Sequence, residues 1–310
     1  MEQEAQPTPK VSVLIVSWNS AGALRRCLES LERSVNRESI EIIVVDNGSL
    51  DESPRMDAEY PHVTMLRLPR NFGIVKALNI GMRTAKGEFF FFLRPEMEVF
   101  PETVSTLAAR LEAAADAAAV SPLLVDPDGQ SVSRYRRLPT PQEVYLAWRN
   151  GGFSDWSSPD ASVDCLAAEF QKGAALMVRG HFLRGMRYID GRYGNSWWDL
   201  EVCHQIRRAS KKILLLPGVS TVLNAGTDPG ASLDGSGRAL LSADCALGAA
   251  TFAGKHYGWG AGFKVRFSAT FHAFFQTLRA AVRFRDTAYH FSRFTCLLSG
   301  QKIDGSQRAL

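Results

Sequence analysis

Three sets of polar residues follow apolar runs in this sequence, and their side chains are of the types that bind a nucleotide. In chain order the sets are Ser17-Trp18-Asn19, Asp46-Asn47-Gly48-Ser49 and Arg94-Pro95-Glu96-Met97-Glu98. Hydroxyl, amide, carboxylate and guanidinium groups can hydrogen-bond to a base, a ribose or a phosphate. A single set would be explained by a turn, because turns favour Asn, Asp and Gly. Three sets in equivalent positions favour a nucleotide site.

The apolar runs have the length and composition of buried strands, and they alternate with segments of helical periodicity. The predicted strands are Val11–Ser17, Ile40–Val45, Val63–Leu68, Glu88–Leu93, Leu176–Val178 and Ile213–Leu216. Helices are predicted around Leu24–Val35, over Asn71–Thr84 and from Pro101. This alternation predicts an α/β fold with a mostly parallel sheet flanked by helices. Ligands bind beyond the carboxyl ends of such strands, which is where the polar sets lie.

The rest of the sequence divides into a long internal loop, a short N-terminal segment (the lead) and a C-terminal extension. Residues 127–165, rich in Pro, Gly, Ser and Asp, are predicted to form a loop interrupted by a helix at Glu143–Trp148. Loops of this length often cover a site. We expect a disordered lead over 1–10, one domain over 11–230 with halves at 11–100 and 101–230, and a C-terminal helical extension over 231–310.

Positive charge is concentrated in the extension. The net charge of the 310 residues is +4, whereas positions from 261 onward carry eight basic and two acidic residues. A nucleic-acid-binding protein would spread its basic charge over its working domain, so we expect no nucleic acid partner. Apolar residues recur there at helical spacing: Phe263, Phe267, Phe271, Phe274, Phe275, Leu278 and Val282. Such a basic amphipathic helix within 261–300 either lies on a membrane surface or packs on the rest of the chain or on a second subunit, as in a homodimer.

The cysteines and the N-terminus indicate a cytoplasmic location. Five scattered cysteines form no metal-binding spacing, so reduced thiols are expected. The first residues lack the pattern of a signal peptide, and no apolar run is long enough to span a membrane. We expect a chain that does not cross a membrane and is at most peripheral on the inner face of the plasma membrane.

Five segments, in their order and spacing, resemble those of the family 2 inverting glycosyltransferases, which have the GT-A fold, and in particular their rhamnosyltransferase-like branch. The segments are VSVLIVSWNS, IIVVDNGSLDES, RNFGIVKALNIGMRTAKGEFFFFL, GAALMV and YIDGRYGNSWWDLEVCHQIRR. The resemblance covers about Val11–Pro217. It implies that 11–230 is a GT-A domain whose half 11–100 binds a nucleotide and whose half 101–230 binds the acceptor.

The resemblance assigns nucleotide-binding roles in the first half. Ser17 and Asn19 would line the base and ribose pocket, and Asp46 would accept a hydrogen bond from an N–H of the base. The other positions of this set, which shape the turn after the second strand or lie beside the sugar nucleotide, are Asn47, Gly48, Asn71, Gly73 and Asn79. The alternative for Asn71 and Gly73 is a turn at the start of a helix.

The positions that would hold a divalent metal depart from the family pattern. The resemblance implies Mg²⁺ or Mn²⁺ on the diphosphate, held by Asp-x-Asp or Asn-Pro-Asp, and Arg94 stands at the first of these positions. Glu96 could still ligate a metal, Glu98 follows it, and Asn224 replaces a histidine. Three interpretations stay open: Arg94 supplies the positive charge itself, the chain binds without catalysis, or Arg94 forms a surface pair with Glu96 or Glu98.

By the resemblance, Asp199 occupies the position of the catalytic base, the carboxylate that takes the proton of the acceptor hydroxyl in an inverting transfer. Trp198 stands where the family has an acid, and Glu201 stands for a later Asp in the acceptor region. Trp197 and Trp198 either face a sugar ring and raise the pKa of Asp199 by desolvation, or pack in the core. Asp199 could also be a first-turn acid of a helix. Asp190 is expected to order the acceptor-binding loop.

The resemblance therefore predicts an inverting transferase. Its donor would be a nucleoside diphosphate sugar, linked to dTDP or UDP, with rhamnose as the sugar suggested by the branch. Its acceptor would be a hydroxyl of a bacterial polysaccharide, a glycolipid or a lipid-linked glycan. The altered metal positions leave a second hypothesis, a glycosyltransferase-like subunit that binds a nucleotide or a partner without turnover.

Overall fold

The computed structural model describes residues 8–150, 152–171, 175–224, 233–283 and 286–303. Residues 1–7 of the predicted lead, and the predicted boundary at 230, lie outside them. The strands are β1 (Val11–Ser17), β2 (Ile40–Asp46), β3 (Val63–Arg67), β4 (Phe89–Leu93), β5 (Met97–Val99), β6 (Ala117–Val125), β7 (Tyr135–Arg136), β8 (Leu166–Ala168), β9 (Phe170–Gln171), β10 (Ala175–Arg179) and β11 (Lys212–Leu223). The α-helices are α1 (Ala21–Glu32), α2 (Ile74–Thr84), α3 (Thr103–Ala113), α4 (Pro141–Asn150), α5 (Gly180–Gly185), α6 (Trp198–Arg208), α7 (Gly235–Tyr257), α8 (Trp259–Arg283) and α9 (Thr287–Ser299).

One large sheet organises the molecule, in the order β3-β2-β1-β4-β10-β6-β11-β5, with β8 paired to β11. β3, β2, β1 and β4 are parallel neighbours, as the sequence predicts. β10 is antiparallel to both β4 and β6, and β5 and β8 are antiparallel to β11. The predicted α/β class is confirmed. The sheet is parallel in its first half and mixed in its second.

β6 lies at the centre of the second half and is absent from the sequence prediction. Its residues, AAAVSPLLV, combine three alanines with Pro122, and both residue types are depleted in strands. All nine residues are buried, because β10 and β11 flank the strand in the sheet. Burial in the tertiary structure outweighs local propensity here.

Helices pack on both faces of the sheet. Leu24 and Leu28 of α1 share a buried cluster with Leu107 of α3 on one face. On the other face, Leu78 of α2 and Phe252 of α7 belong to a second cluster, to which α6 also contributes. The carboxyl ends of β1, β2 and β4 open at one edge between these layers, which is where the predicted site residues lie.

The segment 127–165 contains α4 where a helix was predicted, and it folds towards α6. Arg136, with a side chain only 1% exposed, donates to Asp155 at 2.9 Å, and its Cζ lies 4.1 Å from the ring centroid of Phe153. The Phe153 ring contacts the Trp197 ring, with 5.6 Å between centroids. The segment therefore reaches the residues just before α6.

The C-terminal region holds three helices, where the sequence predicted one amphipathic helix. α7 packs on the sheet domain through Phe252, and Leu247, Ala269 and Leu297 join α7, α8 and α9 in a separate small core. Trp259 and the phenylalanines of α8 are exposed, although Phe274 contacts the Phe294 ring of α9 with 5.6 Å between centroids. Among the described residues, no helix combines the length and the apolar character needed to cross a membrane.

Candidate functional site

β1 and β2 bring the first two polar sets to one point at the carboxyl edge of the sheet. Ser17 is the register partner of Asp46, and the Asn47 backbone N–H donates to the Ser17 carbonyl at 2.8 Å. β4 ends beside them, since its Leu93 pairs with Ile15 of β1. Residues that are distant in sequence meet here because neighbouring parallel strands end together.

Asp46 is a buried carboxylate, and one of its two oxygens, Oδ1, is here called the open oxygen because the described residues give it no hydrogen-bond partner. The residue is 2% exposed, and its Oδ2 accepts from the Ser49 N–H at 3.1 Å. Its Oδ1 is buried and has no hydrogen-bond partner among the described residues. Such an oxygen is costly to bury, so it points to a ligand that donates a hydrogen bond. The indole Nε1 of Trp18 is a second buried atom without a described partner, which the sequence analysis missed because tryptophan is usually explained by packing.

Ser17 and Asn19 hold the loops at this edge. The Ser17 hydroxyl is buried and lies 2.9 Å from the hydroxyl of Ser20. Asn19 has a left-handed backbone (φ 48°), which Asn tolerates better than most residues. Its N–H donates to Ser49 Oγ and its Oδ1 accepts from the Leu50 N–H, both at 2.8 Å. Asn19 thus fastens the loop after β1 to the loop after β2, and its contact with a base or ribose stays a prediction.

Asn47, Asn71 and Gly73 build the turn before α2. Asn71 Oδ1 accepts from Asn47 Nδ2 and from the Gly73 N–H, both at 2.9 Å. Gly73 has a φ of 83°, and a Cβ there would lie 2.8 Å from the Ile303 carbonyl oxygen. The turn that the sequence analysis held as the alternative for Asn71 and Gly73 is therefore present. A sugar-nucleotide contact for these residues stays a prediction.

Asn79 is used by the chain itself. Its Nδ2 donates to the Ile189 carbonyl at 2.8 Å, and its Oδ1 accepts from the Ile189 N–H at 3.0 Å. The start of α2 is fastened to the same region, because the Ile74 N–H donates to Asn195 Oδ1 at 2.8 Å. The structure gives Asn79 a positioning role, and a sugar-nucleotide contact for it stays a prediction. Asn79 holds residues 189–197, here called the acceptor loop after the role predicted for them, against α2.

The segment after β4 brings together the four residues that were singled out around the diphosphate. Arg94 Nε lies 3.0 Å from Glu96 Oε2, and Arg26 Nε lies 3.2 Å from Glu98 Oε1. Asn224 Nδ2 donates to Glu98 Oε1 at 2.7 Å, and the Asn224 N–H donates to the Glu96 carbonyl at 2.9 Å. Two arginines thus balance two glutamates at this edge, and the predicted Arg94–Glu96 pair is formed.

These residues do not fit a metal-binding set. Glu96 and Glu98 each face an arginine, and Asn224 presents its amide nitrogen, a donor, to Glu98. Within the part of the chain that the structure describes, no group of three or more Asp, Glu, His or Cys side chains is arranged to hold a metal ion. The Arg94 side chain is 47% exposed, so a ligand arriving from solvent can reach its guanidinium group.

Asp199 lies in the first turn of α6, where the helix dipole favours an acid. Its Oδ1 accepts from the Leu200 N–H at 2.8 Å. Trp198 fixes this turn to the sheet, since its ring contacts the Phe92 ring edge-on with 5.6 Å between centroids. Phe92 is the penultimate residue of β4. Trp198, the residue before Asp199, therefore packs close to the end of β4, after which Arg94 follows.

The two tryptophans before Asp199 pack into the protein, as the core alternative proposed. Trp198 is 9% exposed, so the structure places it in the core and away from a sugar ring. Trp197 has a left-handed backbone (φ 72°), and its half-buried ring lies 5.6 Å from Phe153 and 5.9 Å from Phe252 between centroids. Trp197 thus joins the 127–165 segment to α7.

Glu201 was predicted at the acceptor, but it is buried in a network with α7. Its Oε1 accepts from Gln205 Nε2 (2.8 Å) and Lys255 Nζ (2.7 Å). Its Oε2 accepts from the Tyr193 hydroxyl (2.8 Å) and lies 2.6 Å from His256 Nε2. Burial alone would raise the pKa of Glu201, but the hydrogen bonds from His256 and Lys255, with those from its neighbours, lower it to about 2. A carboxylate with four partners anchors structure and does not face an acceptor.

Two further carboxylates hold the acceptor loop. Asp190 Oδ2 lies 2.7 Å from Arg192 Nη2 and 2.8 Å from Lys255 Nζ, which agrees with the ordering role expected for it. Asp244 of α7 is buried and accepts from the Asn195 N–H at 2.8 Å, and burial raises the pKa of this carboxyl. Sequence analysis missed Lys255 and Asp244 because they lie on a distant helix, where no local pattern marks them.

Almost half of the chain matches a known family. Residues 12–165 match the family model described as Glycosyl transferase family 2. This part of the chain is therefore similar to family 2 glycosyltransferase domains. This agrees with the resemblance found in the sequence, whereas the rhamnosyltransferase-like branch stays a prediction.

Sequence relatives share this domain over part of their length. The putative glycosyltransferase EpsH of Bacillus subtilis is 36% identical over 98 residues, which are 31% of this chain and 28% of that protein. The succinoglycan biosynthesis protein ExoO of Rhizobium meliloti is 31% identical over 130 residues, 41% of this chain and 37% of that protein. An undecaprenyl-phosphate 4-deoxy-4-formamido-L-arabinose transferase of Klebsiella pneumoniae is 30% identical over 113 residues, 34% and 35% of the two chains. The matches span about a third of the length of these relatives.

Solved glycosyltransferase structures share the fold. S. aureus TarS 1–349 in complex with UDP-GlcNAc superposes with a TM-score of 0.53 at 16% identity, over 94% of this chain and 92% of that one. GalNAc-T7 with UDP, GalNAc and Mn²⁺ superposes with a TM-score of 0.61 at 18% identity, over 85% of this chain and 51% of that one. At these identities the likeness establishes a GT-A-like fold and no more.

Proposed function

We propose that this protein is an inverting glycosyltransferase. It moves a sugar from a nucleoside diphosphate sugar, dTDP- or UDP-linked and with rhamnose as the candidate sugar, to a hydroxyl of a bacterial polysaccharide or glycolipid. The observation that carries the proposal is the contact of Trp198 with Phe92. The contact supports the proposal, because Asp199 directly follows a residue that packs on the penultimate residue of β4, the strand after which Arg94 comes.

Asp46 is the proposed base-binding residue. Uracil and thymine both carry an N–H donor on their pairing edge, and the open Asp46 Oδ1 is a buried acceptor that such a group would satisfy. The loops tied together by Asn19 and Asn47 keep this oxygen in place. Because both pyrimidines offer the same donor, Asp46 does not by itself select between dTDP and UDP.

Asp199 is the proposed general base. The acceptor hydroxyl oxygen forms a bond to the anomeric carbon of the donor, while the bond from that carbon to the diphosphate oxygen breaks. The hydroxyl proton moves to the Asp199 carboxylate, and the nucleoside diphosphate leaves with the electron pair of the broken bond. Attack on the face opposite the leaving group inverts the anomeric configuration.

Arg94 is the proposed diphosphate ligand. A guanidinium group offers paired N–H donors that suit phosphate oxygens, and Glu96, 11% exposed, holds it from behind. Because Glu96 and Glu98 are each paired with an arginine, we infer a transfer in which Arg94, and not a metal held by Glu96, stabilises the leaving group.

The location is also inferred. The five cysteines are free thiols in the structure, which suits a reducing compartment, and we place the protein in the cytoplasm at the inner face of the plasma membrane.

The alternative is a glycosyltransferase-like subunit that binds without turnover, favoured by the ion-paired Glu96 and the buried Glu201. A product-detecting screen of UDP- and dTDP-sugars with lipid-linked and oligosaccharide acceptors, run with and without EDTA, separates the two. We expect product from one donor at a rate that EDTA leaves unchanged. Nucleotide binding without product from any donor would favour the binding subunit. Activity lost in EDTA and restored by Mg²⁺ or Mn²⁺ would contradict the role of Arg94.

A further inference from the structure

The outer face of α8 is an exposed aromatic surface. Its members, here called the α8 stripe, are Trp259, Phe263, Phe267, Phe271, Phe275, Leu278 and Val282. Each is between 47% and 80% exposed. The rings of the first four stack in series, with 5.3, 5.8 and 5.9 Å between successive centroids. A continuous apolar surface of this extent on a described helix marks an interaction site.

A basic pocket of about 440 Å³ adjoins one end of the stripe. Trp259 and Phe263 form part of its wall, so the pocket and the stripe are continuous. α7, α8, the acceptor loop and the segment after α9 contribute four cations to it: Arg192, Lys255, Arg266 and Lys302. None of the described residues that line it is acidic, although Asp190 pairs with Arg192 and Lys255, and Glu201 pairs with Lys255. Such a pocket suits a phosphate group next to an apolar chain.

Charge decides which partner fits this surface. α8 and α9 contain no Asp or Glu, and they carry Lys264, Arg266, Arg279, Arg283 and Arg293. Two copies that met through the α8 stripe would bring like charges together, which disfavours a homodimer at this face. A bilayer with anionic headgroups complements both features, since it offers phosphates to the cations and apolar chains to the rings.

We propose that α8 lies in the interface of an anionic lipid bilayer, with the α8 stripe among the acyl chains and a lipid phosphate in the basic pocket. Lys255 lines this pocket and its ammonium group binds Glu201, two residues along α6 from Asp199. The bound lipid headgroup therefore lies on the acceptor side of the domain. Membrane binding does not require the proposed sugar transfer, so either can fail while the other holds.

Flotation of the full chain with lipid vesicles tests the proposal. Phosphatidylcholine vesicles are compared with vesicles that also contain phosphatidylglycerol. We expect the wild type to float with the anionic vesicles, and to bind them less at high salt because exposed charges are screened. The double variant Phe263→Ser/Phe267→Ser removes two rings of the stripe, and its partition coefficient should fall by about tenfold or more. Arg266→Gln leaves the stripe intact and should weaken binding to anionic vesicles by several-fold.

Two matched variants serve as controls. Val35→Ser removes an exposed apolar side chain on the sheet domain, and Arg110→Gln removes an exposed arginine of α3. Both should bind vesicles like the wild type. The proposal is overturned if the wild type ignores anionic vesicles, or if Arg110→Gln weakens binding as much as Arg266→Gln. Light scattering could instead detect a dimer of the wild type and only a monomer of Phe263→Ser/Phe267→Ser. That result would show that a second copy of the chain, and not a bilayer, covers the stripe. Inorganic phosphate could also stabilise the wild type but not Arg266→Gln, while the wild type binds no vesicles. That result would indicate a site for a free anion and would also overturn the proposal.

Discussion

The proposed base-binding edge and the proposed acceptor side of this protein are both built around buried carboxylates, but the surroundings of these carboxylates differ. Asp46 is held by one backbone N–H, and its other oxygen has no partner among the described residues. Glu201 is equally buried and bonds to Tyr193, Gln205, Lys255 and His256. A buried carboxylate oxygen without a hydrogen-bond partner indicates a ligand site, whereas a carboxylate whose two oxygens both have partners indicates a structural role.

The comparison also explains why the C-terminal helices belong to the site. Lys255, His256 and Asp244 are all on α7, and each contacts a residue of α6 or of the acceptor loop. The acceptor side is therefore assembled from two distant parts of the chain, whereas the base-binding edge comes from β1, β2 and the turn before α2. Asp199 follows Trp198, whose ring packs on Phe92 of the sheet.

The largest expected effect is on catalysis by Asp199→Asn. An amide cannot take the proton of the acceptor hydroxyl, so the turnover rate should fall by about 10²–10⁴-fold while donor affinity stays unchanged. Steady-state kinetics with product detection, together with calorimetric binding of the donor, measure the two quantities. Asp57→Asn, which alters a surface ion pair with Arg67, is the matched control and should keep full activity. Full activity of Asp199→Asn would show that another group is the base.

A change in free energy of comparable size, in stability and not in catalysis, is expected for Glu201→Ala, because it breaks the network that joins α6 to α7. Removal of one member of a buried ion pair typically lowers the free energy of unfolding by about 3–5 kcal/mol. Denaturant unfolding followed by tryptophan fluorescence measures this change. Asp116→Asn disrupts the surface pair with Lys212 and should leave the unfolding midpoint unchanged. If Glu201→Ala and Asp116→Asn had the same free energy of unfolding, Glu201 would not hold α6 to α7. The prediction that Glu201 contacts the acceptor would then regain support.

The sequence predicts the parallel half of the fold because β1, β2 and β4 are buried on both faces and therefore read as continuous apolar runs. The same reasoning locates Asp46, since the end of such a strand is a recognisable place. It does not predict β6, because neighbouring strands bury the alanines of β6 and no local sequence pattern marks them as buried. Nor does it find the partners of Glu201, since Lys255 and His256 are far away along the chain. For Asn79 it identifies an important amide but not its partner, because only the folded chain brings Ile189 to it.

Calorimetric titration of UDP and dTDP into Asp46→Asn tests the central claim most directly, namely that the open oxygen of Asp46 binds the base. The substitution replaces one acceptor oxygen by an NH₂ donor. In one orientation of the amide this donor faces the Ser49 N–H, and in the other it faces the N–H of the base. Loss of one charged hydrogen bond costs about 1.5–3 kcal/mol, so the dissociation constant should rise by about 10–100-fold. Thermal stability without nucleotide should be unchanged or higher, because an unpaired buried charge is removed, and Asp57→Asn should bind like the wild type. Equal nucleotide affinity in the wild type and Asp46→Asn would contradict the account.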